Sequence, residues 1–425
     1  MRDSSLTRVG SVAASVSDTH PRQKPQLVFL NTSDVLLGKV LHRDYSQVSD
    51  WPGQAKKSIR KGDILFSEIR PANGRWAFID FDADDFVVST KLMVIRCLPN
   101  KVLPRFLYHV LTSSRITSWL QHLAESRSGT FPQITFDQVA ELEIVLPSLR
   151  EQIAIASFLD LMDDKIELNR QINDTLEAMA QGIFKDWFVD FGPTCAMAED
   201  RPCYLASDLW SLFPDSFDGR KPAGWRIGEL QDIVELNPQE PLASGTVAPY
   251  LDMAALPTSG SVPDAPMDRA FTSGMRFRNG DTLLARITPC LENGKTAFIQ
   301  CLTDGSVAWG STEFIVMRPR APVPKPYGYI LARETGFRAR AIQSMTGTSG
   351  RQRARTDSLA EYPVAIPPDQ VWRAFGSLVE PIFKRIRASS EESQALARTR
   401  DLLLPKVMSG EIRVKDLEKT PEAVL

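Results

Sequence analysis

The chain contains the same module twice, about 220 residues apart, and this duplication limits the possible folds more than any other feature. Gly62-Asp63-Ile64-Leu65 returns as Gly280-Asp281-Thr282-Leu283, and Ile69-Arg70-Pro71 as Ile287-Thr288-Pro289. Asn73-Gly74-Arg75 with Ala77-Phe78 returns as Asn293-Gly294-Lys295 with Ala297-Phe298. Ser89-Thr90, the apolar residues 92–95 and Arg96 return as Ser311-Thr312, residues 314–317 and Arg318. A solenoid repeats every ~20–50 residues, so a period this long describes two like domains, each with its own core. Such a chain is expected to act through two similar halves.

Within the first module, residues 62–69 and 86–97 read as strands, the second a nearly continuous apolar run. Residues 104–122 read as one helix, with Pro104 near its first position and a broad apolar face of Phe106, Leu107, Val110, Leu111, Ile116, Trp119 and Leu120. The second module repeats the pattern, with strands at 280–287 and 312–318 and a helix at 326–342.

Leu146-Pro147 closes the first module and Ile366-Pro367 the second, and each leads into a long helical pattern. In the first, Ile155, Leu159, Met162, Ile166, Asn169, Asn173, Leu176, Ala180 and Ile183 alternate spacings of four and three. In the second, Phe375, Val379, Ile382, Ile386, Ser389, Ser393, Leu396, Arg400 and Leu403 do the same. This is a heptad seam in each helix. The polar positions coincide, Asn169 and Asn173 against Ser389 and Ser393, and such layers fix register at a cost in stability. Two helices packed antiparallel would bring these centres together; the alternative is that each helix packs on its own domain. Pro381, inside the second pattern, should kink that helix or mark its start. A helix of ~40 residues spans roughly 60 Å, a length suited to a ligand with two separated sites, such as duplex DNA.

Composition narrows the class. With 43% apolar and 24% charged residues, the chain reads as a globular protein. No apolar run approaches the ~20 residues of a membrane span, and no signal peptide is visible. The five cysteines are scattered without Cys-x-x-Cys spacing, and the four histidines make no His-Glu-x-x-His, so neither a metal site nor a disulfide framework is expected and a cytoplasmic setting fits. A net charge of −2 argues against gripping nucleic acid by bulk charge alone.

Taken in order, the motifs resemble a family. Leu146-Pro147-Ser148-Leu149-Arg150-Glu151-Gln152-Ile153-Ala154-Ile155-Ala156 is similar to the opening of the spacer helix in type I restriction–modification specificity subunits. The segments 183–191 and 212–217 resemble the stretch beyond that helix in the family, and Gly224-Trp225 resembles the start of its second target-recognition domain. Residues 403–412 (Leu-Leu-Pro-Lys-Val-Met-Ser-Gly-Glu-Ile) resemble its C-terminal motif. The second helix departs from the pattern, with Asp369-Gln370 where the first has Glu151-Gln152. The resemblance implies an α+β fold, two similar α/β target-recognition domains separated by two long helices forming an antiparallel coiled coil. The expected division is a disordered N-terminal tail (1–25), target-recognition domain 1 (26–147), a central spacer helix (148–190), a linker (191–225), target-recognition domain 2 (226–367), a C-terminal spacer helix (368–413) and a tail (414–425). It also implies that each domain reads one half of a bipartite double-stranded DNA site and that the helices set the spacing. The partners implied are two methyltransferase (M) subunits and, where a system has them, motor/nuclease (R) subunits. S-adenosylmethionine, ATP and Mg would be bound by those partners and no cofactor by this chain, which would be non-catalytic in itself.

Candidate DNA contacts come from side-chain chemistry. Guanidinium forks suit phosphates and guanine edges, and Arg333, Arg338, Arg340, Arg351, Arg353 and Arg355 flank a small polar loop with Thr348 and Ser349. The first module offers Arg127, Ser128, Thr130 and Gln133, with Arg115 and His122 upstream. A second pair of candidates is the turn from Arg70 to Arg75 and its counterpart from Arg286 to Lys295, which a hairpin turn explains equally well. The aromatic run Trp187, Phe188 and Phe191 reads first as core and second as a docking surface for the methyltransferase partner. Catalytic motifs are missing: there is no phosphate loop, and Asn237-Pro238-Gln239-Glu240 lacks the second proline and the aromatic of an adenine methyltransferase. The competing readings are a fused or orphan methyltransferase or nuclease, and a helical scaffold that never touches DNA.

Overall fold

The structure is a computed structural model and describes residues 5–127, 132–348 and 350–408. The chain divides into two compact units, one within Met1–Ile166 and Gln394–Leu425, the other Glu167–Ser393.

Each unit holds two four-stranded sheets of the same topology. In the first unit, Ala13–Val16, Leu92–Cys97, Ile64–Ser67 and Trp76–Phe78 lie side by side, all antiparallel. The other sheet orders Tyr45–Gln47, Gln26–Leu30, Phe86–Ser89 and Ala55–Ser58, its central pair parallel. The second unit repeats the first arrangement with Val234–Leu236, Phe314–Pro319, Thr282–Ala285 and Thr296–Phe298. It repeats the second with Met267–Ala270, Val247–Leu251, Ala308–Gly310 and Met275–Phe277, the middle pair again parallel.

The repeated Gly-Asp motif has a structural explanation. Gly62 and Gly280 adopt φ +90° and +93°, a turn that a side chain would strain. The following aspartate then accepts a backbone N–H, from Arg60 (2.9 Å) or Arg278 (2.8 Å). Its carboxylate is buried and grips the repeated arginine with two bonds, Asp63 to Arg96 at 2.8 and 2.7 Å, Asp281 to Arg318 at 2.7 and 2.6 Å.

Several elements differ from the sequence reading. Residues 1–25 are not a disordered tail over their described part. Ser5–Arg8 pairs antiparallel with Glu143–Leu146, and Val9, Val12 and Ala13 are buried behind it. The second unit has the same feature, Arg226–Glu229 on Pro363–Ile366, with Leu230, Ile233 and Val234 buried. The strand of 86–97 is two strands in different sheets, broken at Thr90-Lys91, where the buried Lys57 Nζ donates to the carbonyls of Thr90 (3.1 Å) and Leu92 (2.8 Å). The helix of 104–122 is two, Pro104–Thr112 and Ser114–Arg127, with Ser113 extended between them. Glu334 makes the same break between Tyr327–Arg333 and Thr335–Gln343, its side chain accepting the Phe337 N–H. The segment 191–225 is folded: Thr194, Ala196, Phe213 and Trp225 are buried.

The long helices run Leu149–Phe184 and Asp369–Met408, the second passing through Pro381 without interruption. Every seam position is buried or half-buried. In the second unit, Asn169 Nδ2 donates to the Ser389 carbonyl (3.3 Å), Glu392 (2.7 Å) and Ser393 Oγ (3.2 Å), and Asn173 Nδ2 to Ser390 Oγ (3.1 Å). Phe184 lies beside Phe375. As numbers rise along one helix they fall along the other, so the paired segments run in opposite directions. In the first unit, Arg400 donates to Asp163 (2.6 Å). Asp160 there accepts from Arg105 (2.6 Å) and hydrogen-bonds the buried His109 (2.7 Å). The end of the second spacer helix, 409–413, and the tail at 414–425 lie outside the described residues.

Candidate nucleic-acid interface

The two candidate surfaces of each module form a single surface. In the first module, residue 133 bridges Ile69, the Arg70 N–H donates to the Pro132 carbonyl (3.1 Å), and the Ile134 N–H donates to that of Glu68 (2.9 Å). In the second, residue 353 bridges Ile287, the Thr288 N–H donates to Gln352 (3.0 Å), and the Ala354 N–H to Arg286 (2.8 Å). The strand end and its turn thereby hold the small polar loop at its C-terminal side, in the same register in both copies. The Ala72 N–H is held by the Gln121 side chain at 3.1 Å, which ties the turn to helix Ser114–Arg127.

Arg70 and Gln133 are exposed on this surface, as are Arg115, Trp119 and His122 on the adjoining helix. Arg70 adopts φ +45°, a left-handed conformation uncommon for a residue with a Cβ. In the second module Arg340, Thr348 and Arg351 are exposed. Arg338 is half-buried and donates to the Glu292 carbonyl (3.3 Å). Arg353 makes a two-pronged pair with Glu313, its Nε and Nη2 donating over 2.7–2.9 Å. The Arg353 bond holds the Glu313 carboxyl below its usual range. Arg355 pairs with Asp357. The side chain of Arg127, together with Ser128, Thr130 and Ser349, lies outside the described residues.

Other expected contacts face inward. Arg75 Nη1 donates to the carbonyls of Ser33 (2.9 Å) and Val35 (3.3 Å). Lys295 Nζ donates to those of Met253 (2.7 Å) and Ala254 (3.2 Å). Each cation pins the loop beside its own turn, so these two residues are loop ties rather than free DNA contacts. Arg286 is half-buried and donates to the Ala354 carbonyl (3.1 Å). Arg333 donates to the carbonyls of Thr258, Gly294, Gly260 and Thr296, and also to the Tyr329 hydroxyl. It is an internal brace.

The aromatic run is core, the first of its two readings, and its tryptophan and first phenylalanine offer little surface for docking a partner. Trp187 is 1% exposed and Phe188 7%. Phe188 stacks on Trp372 (4.9 Å between centroids, 15° between planes) and meets Phe375 edge-on, while the half-buried Phe191 packs on Trp225. A π-helical turn, Lys185–Val189, carries Trp187 and Phe188 at the end of the first long helix, both of them buried.

Sequence reasoning missed Glu313 and a cluster on the second module's sheet. There Arg269 lies over Tyr250 (4.8 Å) and Trp309 (5.7 Å), and Arg276 over Phe271 (5.8 Å). The arginines and aromatics recur through 250–276 and at 309, but only strand pairing brings them together. Among the described residues no group of acidic, histidine and cysteine side chains is arranged to hold a metal, and no helix is long and apolar enough to cross a membrane.

Comparison with known proteins gives a consistent result. A family model described as the type I restriction modification DNA specificity domain matches residues 22–178. The chain is 32% identical to the type I restriction enzyme HindI specificity subunit of Haemophilus influenzae, over 91% of this chain and 95% of that protein. It is 26% identical to the MjaIX specificity subunit of Methanocaldococcus jannaschii, over 74% of this chain and 71% of the other. In fold it resembles the type I restriction–modification S subunit from M. genitalium, with a TM-score of 0.52 and 15% identity, covering 96% of each chain.

Proposed function

We propose, from the premise that this chain belongs to the type I restriction–modification specificity-subunit family, that it is the DNA-recognition subunit of such a complex. Each α/β module reads one half of a bipartite duplex site. The observation that carries this is the surface present in both modules, where a strand end, its turn and a polar loop meet in one register. Exposed Arg70 and Gln133 in one copy, and Arg340, Thr348, Arg351 and the Arg353–Glu313 pair in the other, supply donors suited to base edges and phosphates. Arg127, Ser128, Thr130 and Ser349 belong to the same reading by their place in the sequence.

The two long helices act as an antiparallel coiled coil that sets the interval between the half-sites. The opposed hydrogen bonds at Asn169 and Asn173 and the buried seam support this. Two methyltransferase subunits bind the chain and carry the adenine chemistry with S-adenosylmethionine; a motor and nuclease subunit, where present, adds ATP and Mg. The near-neutral charge fits a reader whose partners supply much of the phosphate contact.

The test is single-molecule methylation mapping of cells that express the methyltransferase partner, with and without this gene. Loss of one split adenine-methylation motif on deletion is expected. A methylome that does not change would overturn the reading.

A further inference from the structure

The two modules differ at one matched position on this surface, and the difference has a direct chemical meaning. The match rests on the backbone. Residues 133 and 353 each bridge the isoleucine of the repeated motif, Ile69 or Ile287. Glu68 N–H donates to the Lys91 carbonyl (3.1 Å) where Arg286 N–H donates to that of Glu313 (3.0 Å). Glu68 therefore corresponds to Arg286, Lys91 to Glu313, and Gln133 to Arg353. Both 133 and 353 are exposed.

Arg353 is not a loose cation. Glu313 accepts from its Nε and Nη2, and Nη1 donates to the Arg351 carbonyl (3.4 Å). These bonds fix the guanidinium plane, and Nη1 and Nη2 each keep one further N–H at an end of the side chain that is exposed. That end matches the O6 and N7 acceptors of guanine. A carboxylate on a DNA face repels phosphates; one spent on an arginine orients it. In the first module Lys91 stands at the position of Glu313, so a cation replaces the orienting carboxylate. The side-chain amide of Gln133 needs no charged partner, and an amide pairs with the N6 and N7 of adenine.

We infer that Arg353 reads a guanine in one half-site, with Glu313 as its positioning residue, and that Gln133 reads an adenine in the other. This rests on the proposed function and adds to it the residues and the base at one position of each half. The experiment uses the full chain with its methyltransferase partner, in cells lacking the native gene, and methylation mapping of R353Q, R353K, E313Q and Q133R. R353Q and R353K should both relax a single guanine position in one half of the motif, lowering preference there by roughly ten- to a hundred-fold. The other half should be unaffected. E313Q should relax the same position less, and Q133R should alter one adenine position in the opposite half. Thermal melting of each variant alongside wild type separates misfolding from misreading.

Should R353K restore full activity and motif while R353Q lowers methylation evenly at all sites, Arg353 is a phosphate contact and the inference is overturned. Relaxation at a position other than guanine overturns it as well. A wild-type complex that yields no split motif instead overturns the functional reading on which the inference stands.

Discussion

The arginines of the second module show how little a residue's identity says until its partners are known. Arg333 spends its guanidinium on four backbone carbonyls, Arg355 on Asp357 and Arg353 on Glu313, while Arg340 and Arg351 stay exposed. Asp63 and Asp281 are the clearest residue-scale determinants of the fold, since each is buried against a guanidinium. Removing one partner of a buried ion pair costs about 3–5 kcal/mol. Asp281→Ala should fall near the low end, about 3 kcal/mol, because Glu240 still faces Arg318. A denaturant melt of the second unit's tryptophan signal measures it. Asp160 gives a pH prediction. Burial pushes its carboxyl up, but the hydrogen bond from His109 and the Arg105 contact bring it below the usual value. A depressed folded value means stability present above the unfolded pKa of about 3.9 and lost as pH falls through the folded one. Asp160→Asn should therefore destabilise at neutral pH and differ less from wild type below about pH 4, read from melting temperatures across that range.

At the scale of elements, the long helices carry the most information. Helices this long are held by their apolar seam rather than by propensity, which is why Pro381 is tolerated in an otherwise continuous helix. The Asn169–Ser389 contact is a polar layer of the kind that can fix register at the expense of stability. Asn173 and Ser390 sit opposite each other, so an N173C/S390C pair, with the five native cysteines replaced by serine, should cross-link on oxidation. Adding Asn169→Leu should lower that yield by allowing other registers; an unchanged yield would show that the layer does not set register. The aromatic run gives a second test. Trp187→Ala should cost about 3–5 kcal/mol as a core deletion, and a melt separates this from a selective loss of partner binding, which a docking surface would give. Truncating residues 1–12 should also destabilise the first unit, because it removes the strand on Glu143–Leu146 and the buried Val9 and Val12.

For the whole molecule, charge bears on the proposed dependence on partners. A net charge of −2 offers no bulk excess of cations to neutralise DNA phosphates. The slope of log affinity against log salt should therefore be shallow for the isolated chain and steepen when methyltransferase subunits are added. Equal slopes would mean that this chain makes most of the phosphate contacts itself. Sequence alone determined the duplication, the boundaries near Pro147 and Pro367 and the heptad seams, because repeats and periodicity are local patterns that survive without knowledge of neighbours. It also contained, unread, the matched pattern of Val9, Val12 and Ala13 with Leu230, Ile233 and Val234 that places the N-terminal strand in the first unit. Tertiary structure alone decided which cations face outward, that Trp187 and Phe188 are core, and that Glu313 holds Arg353. The acceptors that bind Arg75, Lys295 and Arg333 lie roughly 40 to 75 residues away along the chain, and a contact made across that separation leaves no local pattern to read.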